Sequence, residues 1–248
     1  MKSRTVLFIT LSLVFFLTYP NNGWAQAPRE EIEKTAQHLA SLLNVGRLIV
    51  ERNQTRINDP RTGDKGFTPE VFEQEVIDEF MRQTTIDLKQ LSSHLPSLAK
   101  ELLPVLLQSS KEVVADAQLV INQRGIGYKN FVPATFGSQA ARKFSNRSYV
   151  KIKQTALNPR NLKNTPDEYE ENVLKRLATQ PAVDTSITEW IDNGTTLRAV
   201  TPLYYLQDCL ACHGKPRGIL DISGYPREGA QEGDLAGAIS IQIPVNKQ

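Results

Sequence analysis

The chain has 248 residues, with 29 lysines and arginines against 27 aspartates and glutamates, a formal net charge of +2. That near-balance excludes the basic footprint of a nucleic-acid binder, and a pI near 8.5 is too small a bias to indicate a membrane surface. Only two cysteines occur, Cys209 and Cys212, both in one short segment near the C-terminal end.

The N-terminus has the three-part layout of a secretory signal. Lys2 and Arg4 precede an apolar run from Val6 to Tyr19, and small residues follow at Gly23, Ala25 and Ala27. The run is shorter than the about 20 residues that span a bilayer. Ala25-Gln26-Ala27 fits a cleavage site, but Pro28 hinders cutting after Ala27. Cleavage after Ala25 and retention as an anchor both stay open. No cysteine lies nearby to carry a lipid. Residues 1–27 are therefore read as a signal, and 28–248 as one exported domain, periplasmic or otherwise extracytoplasmic. About 220 residues remain, enough for one good core or two small ones. No other apolar run reaches membrane-spanning length, so membrane association is expected only with the signal uncleaved.

The first half, 28–125, reads helical. From Pro28 to about Arg56, Ile32, Ala36, Leu39, Leu43 and Val50 follow a 3.6-residue period, widened by Leu42, Val45 and Ile49. After a polar loop, Asn58 to Gly66, Thr68 and Pro69 open a second helix as N-cap and first helical residue. Its buried face is expected to hold Val71, Phe72, Val76, Phe80 and Met81. A third helical stretch, kinked or broken near Pro96 and Pro104, carries Leu102, Leu106, Val113, Val114, Ala117, Val120 and Ile121.

The texture changes after Gly127, and 126–248 reads as an α/β portion. "GYKNFVPATFG" is a loop or helix entry, and Tyr149 to Ala156 alternates as a half-buried strand. Thr165-Pro166-Asp167-Glu168 reads as a capping box for a helix to about Leu177. Asp167, Glu168 and Glu170 are thus cap and first-turn residues, with no acid–base role. Asp192-Asn193-Gly194 is a hairpin signal between two strands. "GDLAGAISIQIPV" supplies a last buried strand. The fold class is α+β, with N-terminal helices packed on a small antiparallel sheet.

Between the last two strands stands "DCLACHG". Cys-x-x-Cys-His is the spacing at which haem is attached covalently, each thiol bonding one vinyl group and the histidine lying beneath the iron. A redox dithiol needs its first thiol at a helix N-terminus, yet Gly214-Lys215-Pro216 follows. A zinc clip needs four ligands, and only His38 and His94 could add to the motif. A disulfide leaves His213 unexplained. One motif implies one haem c and one electron, with Cys209 and Cys212 as anchors and His213 as the proximal ligand.

The runs "GIGYKNFVPATF", "VKIKQTALNPRNLKNTPDEYEENVL", "LRAVTPLYYLQDCLACHGKP" and "GDLAGAISIQIPV" resemble a family of bacterial single-haem c-type domains. That resemblance implies a PAS-like fold, and a role as a free periplasmic cytochrome or as the sensor half of a histidine kinase or chemoreceptor. It places Arg160, Asn161 and Asn164 beside the pocket. Some relatives use a cysteine as sixth ligand; this chain has no third cysteine.

The distal ligand is left open among His38, Met81, His94, Tyr128, Lys129, water and an empty position. Arg160 is the first choice for the haem propionates, ahead of Lys153, Arg198 and Lys129. Leu203, Tyr204 and Tyr205 are expected to cover a haem face. The expected function is electron transfer with a redox partner protein. The alternative is a sensor of redox state or of a diatomic gas, acting through a signalling partner. Enzymatic chemistry such as a peroxidase's is not expected: it needs distal acid–base residues, which the two spare histidines allow but nothing supports.

Overall fold

The dense apolar stripe of the first helix becomes the centre of the molecule. The computed structural model describes residues 28–182 and 185–245, so the expected signal segment lies outside the described residues. Helix α1 runs Arg29–Arg52, opened by Glu30 and Glu31 at the positive end of its dipole. All eight apolar residues of its predicted stripe are buried. A break at Asn53 separates it from a single turn, α2, Gln54–Ile57.

Helix α3, Pro69–Thr84, starts as its sequence dictates: Thr68 Oγ1 accepts from the Val71 amide at 3.3 Å, and Pro69 takes the first position. It buries Phe72, Val76, Ile77 and Phe80, but Met81 is 49 % exposed and corrects the expectation of an inward thioether. The buried stripe is centred on Phe72, Val76 and Phe80, and Met81 lies at its far edge, about 100° beyond Phe80. Helix α4, Ser97–Ile121, continues through Pro104 without interruption.

Helix α5, Pro133–Arg147, was foreshadowed only as a helix entry. Its apolar face, Phe136, Ala140, Ala141 and Phe144, packs against α1, α4 and the first strand. Gly137 is required where α5 meets its neighbours, since a Cβ there would lie 2.6 Å from Gln154 Oε1 and 3.0 Å from Arg47 Cδ.

Strands β1 (Lys151–Thr155), β2 (Ile187–Ile191), β3 (Thr196–Tyr204) and β4 (Leu235–Pro244) form one antiparallel sheet in the order β1-β4-β3-β2. The β2–β3 hairpin turns through Asp192–Gly194 as the sequence signalled, with Asp192 and Asn193 at positive φ. Strand alternation sorts the sheet into two faces. Ile152, Leu197, Ala199, Ile239, Ile241 and Ile243 join the helical core. Val200 and Ala238 face helix α6, Glu168–Ala178, and meet its Val173, Leu174 and Leu177. The α6 capping box sits two residues later than expected: Asp167 is the N-cap, and Glu170 closes it.

Candidate haem site

The cysteine motif occupies the connection between the two central strands. Just past β3, the Tyr205 amide donates to Asp234 O and the Gly233 amide to Tyr205 O, both at 2.9 Å. The two ends of the connection are thereby clamped together. A 3-10 turn, Gln207–Cys209, then runs into the single turn α7, Leu210–His213. Gly214 follows without room for a side chain, because a Cβ would stand 2.5 Å from Leu210 O.

Cys209 ends the 3-10 turn and Cys212 lies on α7; both are half-buried and unpaired, and their three-residue spacing along this continuous helical path puts both thiols on one face. Burial pushes both thiols above their ordinary value. A redox-active pair is characterised by the opposite shift, a thiol made acidic. Among the described residues, no three His, Cys, Asp or Glu side chains gather as a metal cluster.

His213 is held at one nitrogen only. Its Nδ1 lies 2.8 Å from Glu228 Oε2 and 3.4 Å from the Tyr205 hydroxyl, whose ring is centred 4.9 Å from the imidazole. Burial, followed by the charge of Arg160, pushes the imidazole below its ordinary pKa and favours the neutral ring. Hydrogen bonds from Arg160 and His213 outweigh burial and hold the Glu228 carboxyl below its ordinary value. An ionised carboxylate only accepts, so the neutral ring carries its proton on Nδ1. The Nε2 lone pair remains, and Nε2 makes no hydrogen bond among the described residues. Two thiols on one turn beside an imidazole with a free Nε2 fit covalently attached haem.

Arg160 organises the surroundings. Its Nε donates to Glu228 Oε1 at 2.6 Å, Nη1 to Asp221 Oδ2 at 2.6 Å, and Nη2 to Glu228 Oε2 at 2.9 Å and Cys212 O at 3.0 Å. Asp221 is buried and also accepts from the Ser223 and Tyr225 amides. Sequence reasoning reached Arg160 but not Asp221 or Glu228, which lie in a turn-rich segment without periodicity. Arg160 is thus engaged with the protein's own carboxylates.

The other expected cations lie elsewhere. Lys153 bonds Glu170 and Thr165 O, Arg198 bonds Asp167 and Glu170, and Lys129 caps the carbonyls of Gln123 and Ile126. Two arginines that went unremarked do flank the motif. The charges of Arg47 and Arg227 reach Cys209 and Cys212 respectively, and each carries a buried Nε with no partner among the described residues. Burial pushes Arg47 down to about 10.

Helix α1 presents Arg47 and, one turn on, Glu51 towards Cys209. His38 stands nine residues before Arg47, about half a turn around the helix. Met81 and His94 are exposed. Tyr128 lies near Cys212, its hydroxyl bonded to Asn130. Tyr204 ends β3 opposite Leu235, and Tyr205 makes the contact with His213. Asn161 and Asn164 build the 3-10 turn after Arg160 and line a separate cleft of about 490 Å³ between α5 and β1. A second cleft, of about 270 Å³, opens beside Tyr205 and Glu228.

Residues 26–244 match the model of the Tll0287-like family. The chain belongs to that family. Among solved structures, it is similar to "Crystal structure of the cyanobacterial heme-protein Tll0287", at 17 % identity and a TM-score of 0.43, over 62 % of this chain and 98 % of that one. No curated protein matches. For this Tll0287-like chain the chemistry therefore rests on the residues themselves.

Proposed function

We propose that the protein is an exported single-haem c-type cytochrome that cycles by one electron and passes it to a redox partner protein. The observation that carries the reading is the donor set: Cys209 and Cys212 on one turn, then His213 with Nδ1 engaged and Nε2 free. Bound there, haem supplies reversible one-electron chemistry at its iron. Cys209 and Cys212 would hold it through their thiols, and His213 would bind its iron through Nε2. Arg47 and Arg227, each with an unpartnered buried Nε, answer the charge of the propionates.

A second reading, sensing of a diatomic gas or of redox state through a signalling partner, is favoured by one observation. The other strong iron ligands among the described residues stand off the motif: Met81 and His94 face solvent, and His38 points about half a turn away from Arg47. With those three side chains set apart from Cys209, Cys212 and His213, bound iron would be accessible to a diatomic gas.

Absorption spectra of protein matured in a haem-attaching periplasm test both readings, alongside the mass of the intact chain. A covalent haem adduct is expected. A low-spin spectrum indifferent to carbon monoxide supports electron transfer, and a rapid shift under the gas supports sensing. A chain that matures without covalent haem overturns the proposal.

A further inference from the structure

We infer that Glu228 is the positioning residue for His213, and that its carboxylate lowers the reduction potential of the haem by strengthening the bond from Nε2 to iron. This rests on the haem reading above. Glu228 is fixed relative to His213 in two independent ways. Its side chain meets Nδ1 at 2.8 Å, and two residues on, the Ala230 amide donates to His213 O at 2.9 Å. Gly229 between them adopts φ +80°, and a Cβ there would lie 2.9 Å from Arg217 Cβ, so the turn that aims Glu228 needs glycine.

The carboxylate is clamped as well. Arg160 bonds both its oxygens while holding Cys212 O, which ties the carboxylate and the motif backbone to one guanidinium. The imidazole also meets the Tyr205 ring, centred 4.9 Å away. The Tyr205 hydroxyl, at 3.4 Å, is a far weaker acceptor than Glu228 at 2.8 Å.

A histidine that gives its second N–H to a carboxylate becomes a more basic ligand. A more basic ligand stabilises the oxidised iron over the reduced one, and outer hydrogen bonding of this kind is a main lever on haem potential.

The test compares the midpoint potentials of haem-loaded wild type, Glu228→Gln and Asp221→Asn. Both variants remove one carboxylate from Arg160, but only Glu228 touches His213. Glu228→Gln is expected to raise the potential by about a tenfold change in the redox equilibrium, 59 mV for one electron, and Asp221→Asn to move it much less. Equal shifts mean a plain charge effect and overturn the inference, as does an unmoved potential in Glu228→Gln. If that variant fails to load haem, Glu228→Asp decides, because it keeps the charge beside Arg160 but draws the carboxylate back from Nδ1. A potential raised above wild type supports the inference; an unmoved one overturns it. Wild type without covalent haem overturns the haem reading and this inference together.

Discussion

Arg160 donates to the carbonyl of Cys212 across 52 residues of sequence, at 3.0 Å. A guanidinium at the end of the β1 connection thereby holds the backbone of the cysteine motif, with Asp221 and Glu228 completing its ring of acceptors. Removing it strands a buried carboxylate. Arg160→Ala is expected to destabilise the chain by about 3 kcal/mol, as breaking a buried pair does. Urea unfolding of the purified variant measures this, and the yield of covalent haem should fall with it.

Gly214→Ala tests the motif's local geometry. The added methyl would meet the Leu210 carbonyl, part of the backbone of the same turn, so the turn has to open. A loss of about 1–3 kcal/mol is expected, together with a lower ratio of haem to protein than in wild type.

Met81→Leu is expected to leave both stability and spectrum unmoved. Its side chain is half exposed, and surface changes cost within about 0.5 kcal/mol. A changed absorption spectrum in this variant would bring Met81 back as an iron ligand.

Acid stability should carry the signature of Glu79. This carboxylate, on α3, is bonded by Arg82, Arg52 and Gln83, and the Arg82 bond is foremost in holding it down to about 2 from an ordinary 4.5. A folded-state value below the unfolded one stabilises the protein fully above pH 4.5, and the contribution is lost as the pH falls towards 2. Glu79→Gln should therefore flatten the pH dependence of the melting temperature across that window. An unchanged slope would contradict the assignment.

These residues differ in how visible they were beforehand. The α1 stripe was legible because eight apolar residues keep one helical period, and the β2–β3 turn because Asp192-Asn193-Gly194 suits positive φ. Helix α5 was half hidden: Gly137, Ser138 and Asn146 dilute it, although Pro133 and the four-residue spacing of Phe136, Ala140 and Phe144 mark it. Met81 was misplaced by one position on the helical wheel. Cys209, Cys212 and His213 were legible as local spacing. Glu228, Asp221, Arg47 and Arg227 were not, because no local pattern links them to the motif, and only the folded chain brings them there. Arg160 was found for its position, whereas its partners are the protein's own carboxylates.

The strand order has a consequence for biogenesis. Strand β4 lies between β1 and β3 but follows both in sequence. As the chain emerges from its N-terminal end, the helices can collapse first, while β1 waits without a neighbour until Leu235–Pro244 slots in beside it. The clamp between Tyr205 and residues 233 and 234, at the two ends of the connection bearing Cys209 and Cys212, closes as β4 docks. The last pairing event of the sheet is thus also the one that closes the loop carrying Cys209 and Cys212, so on the haem reading proposed above both thiols are most accessible before β4 inserts.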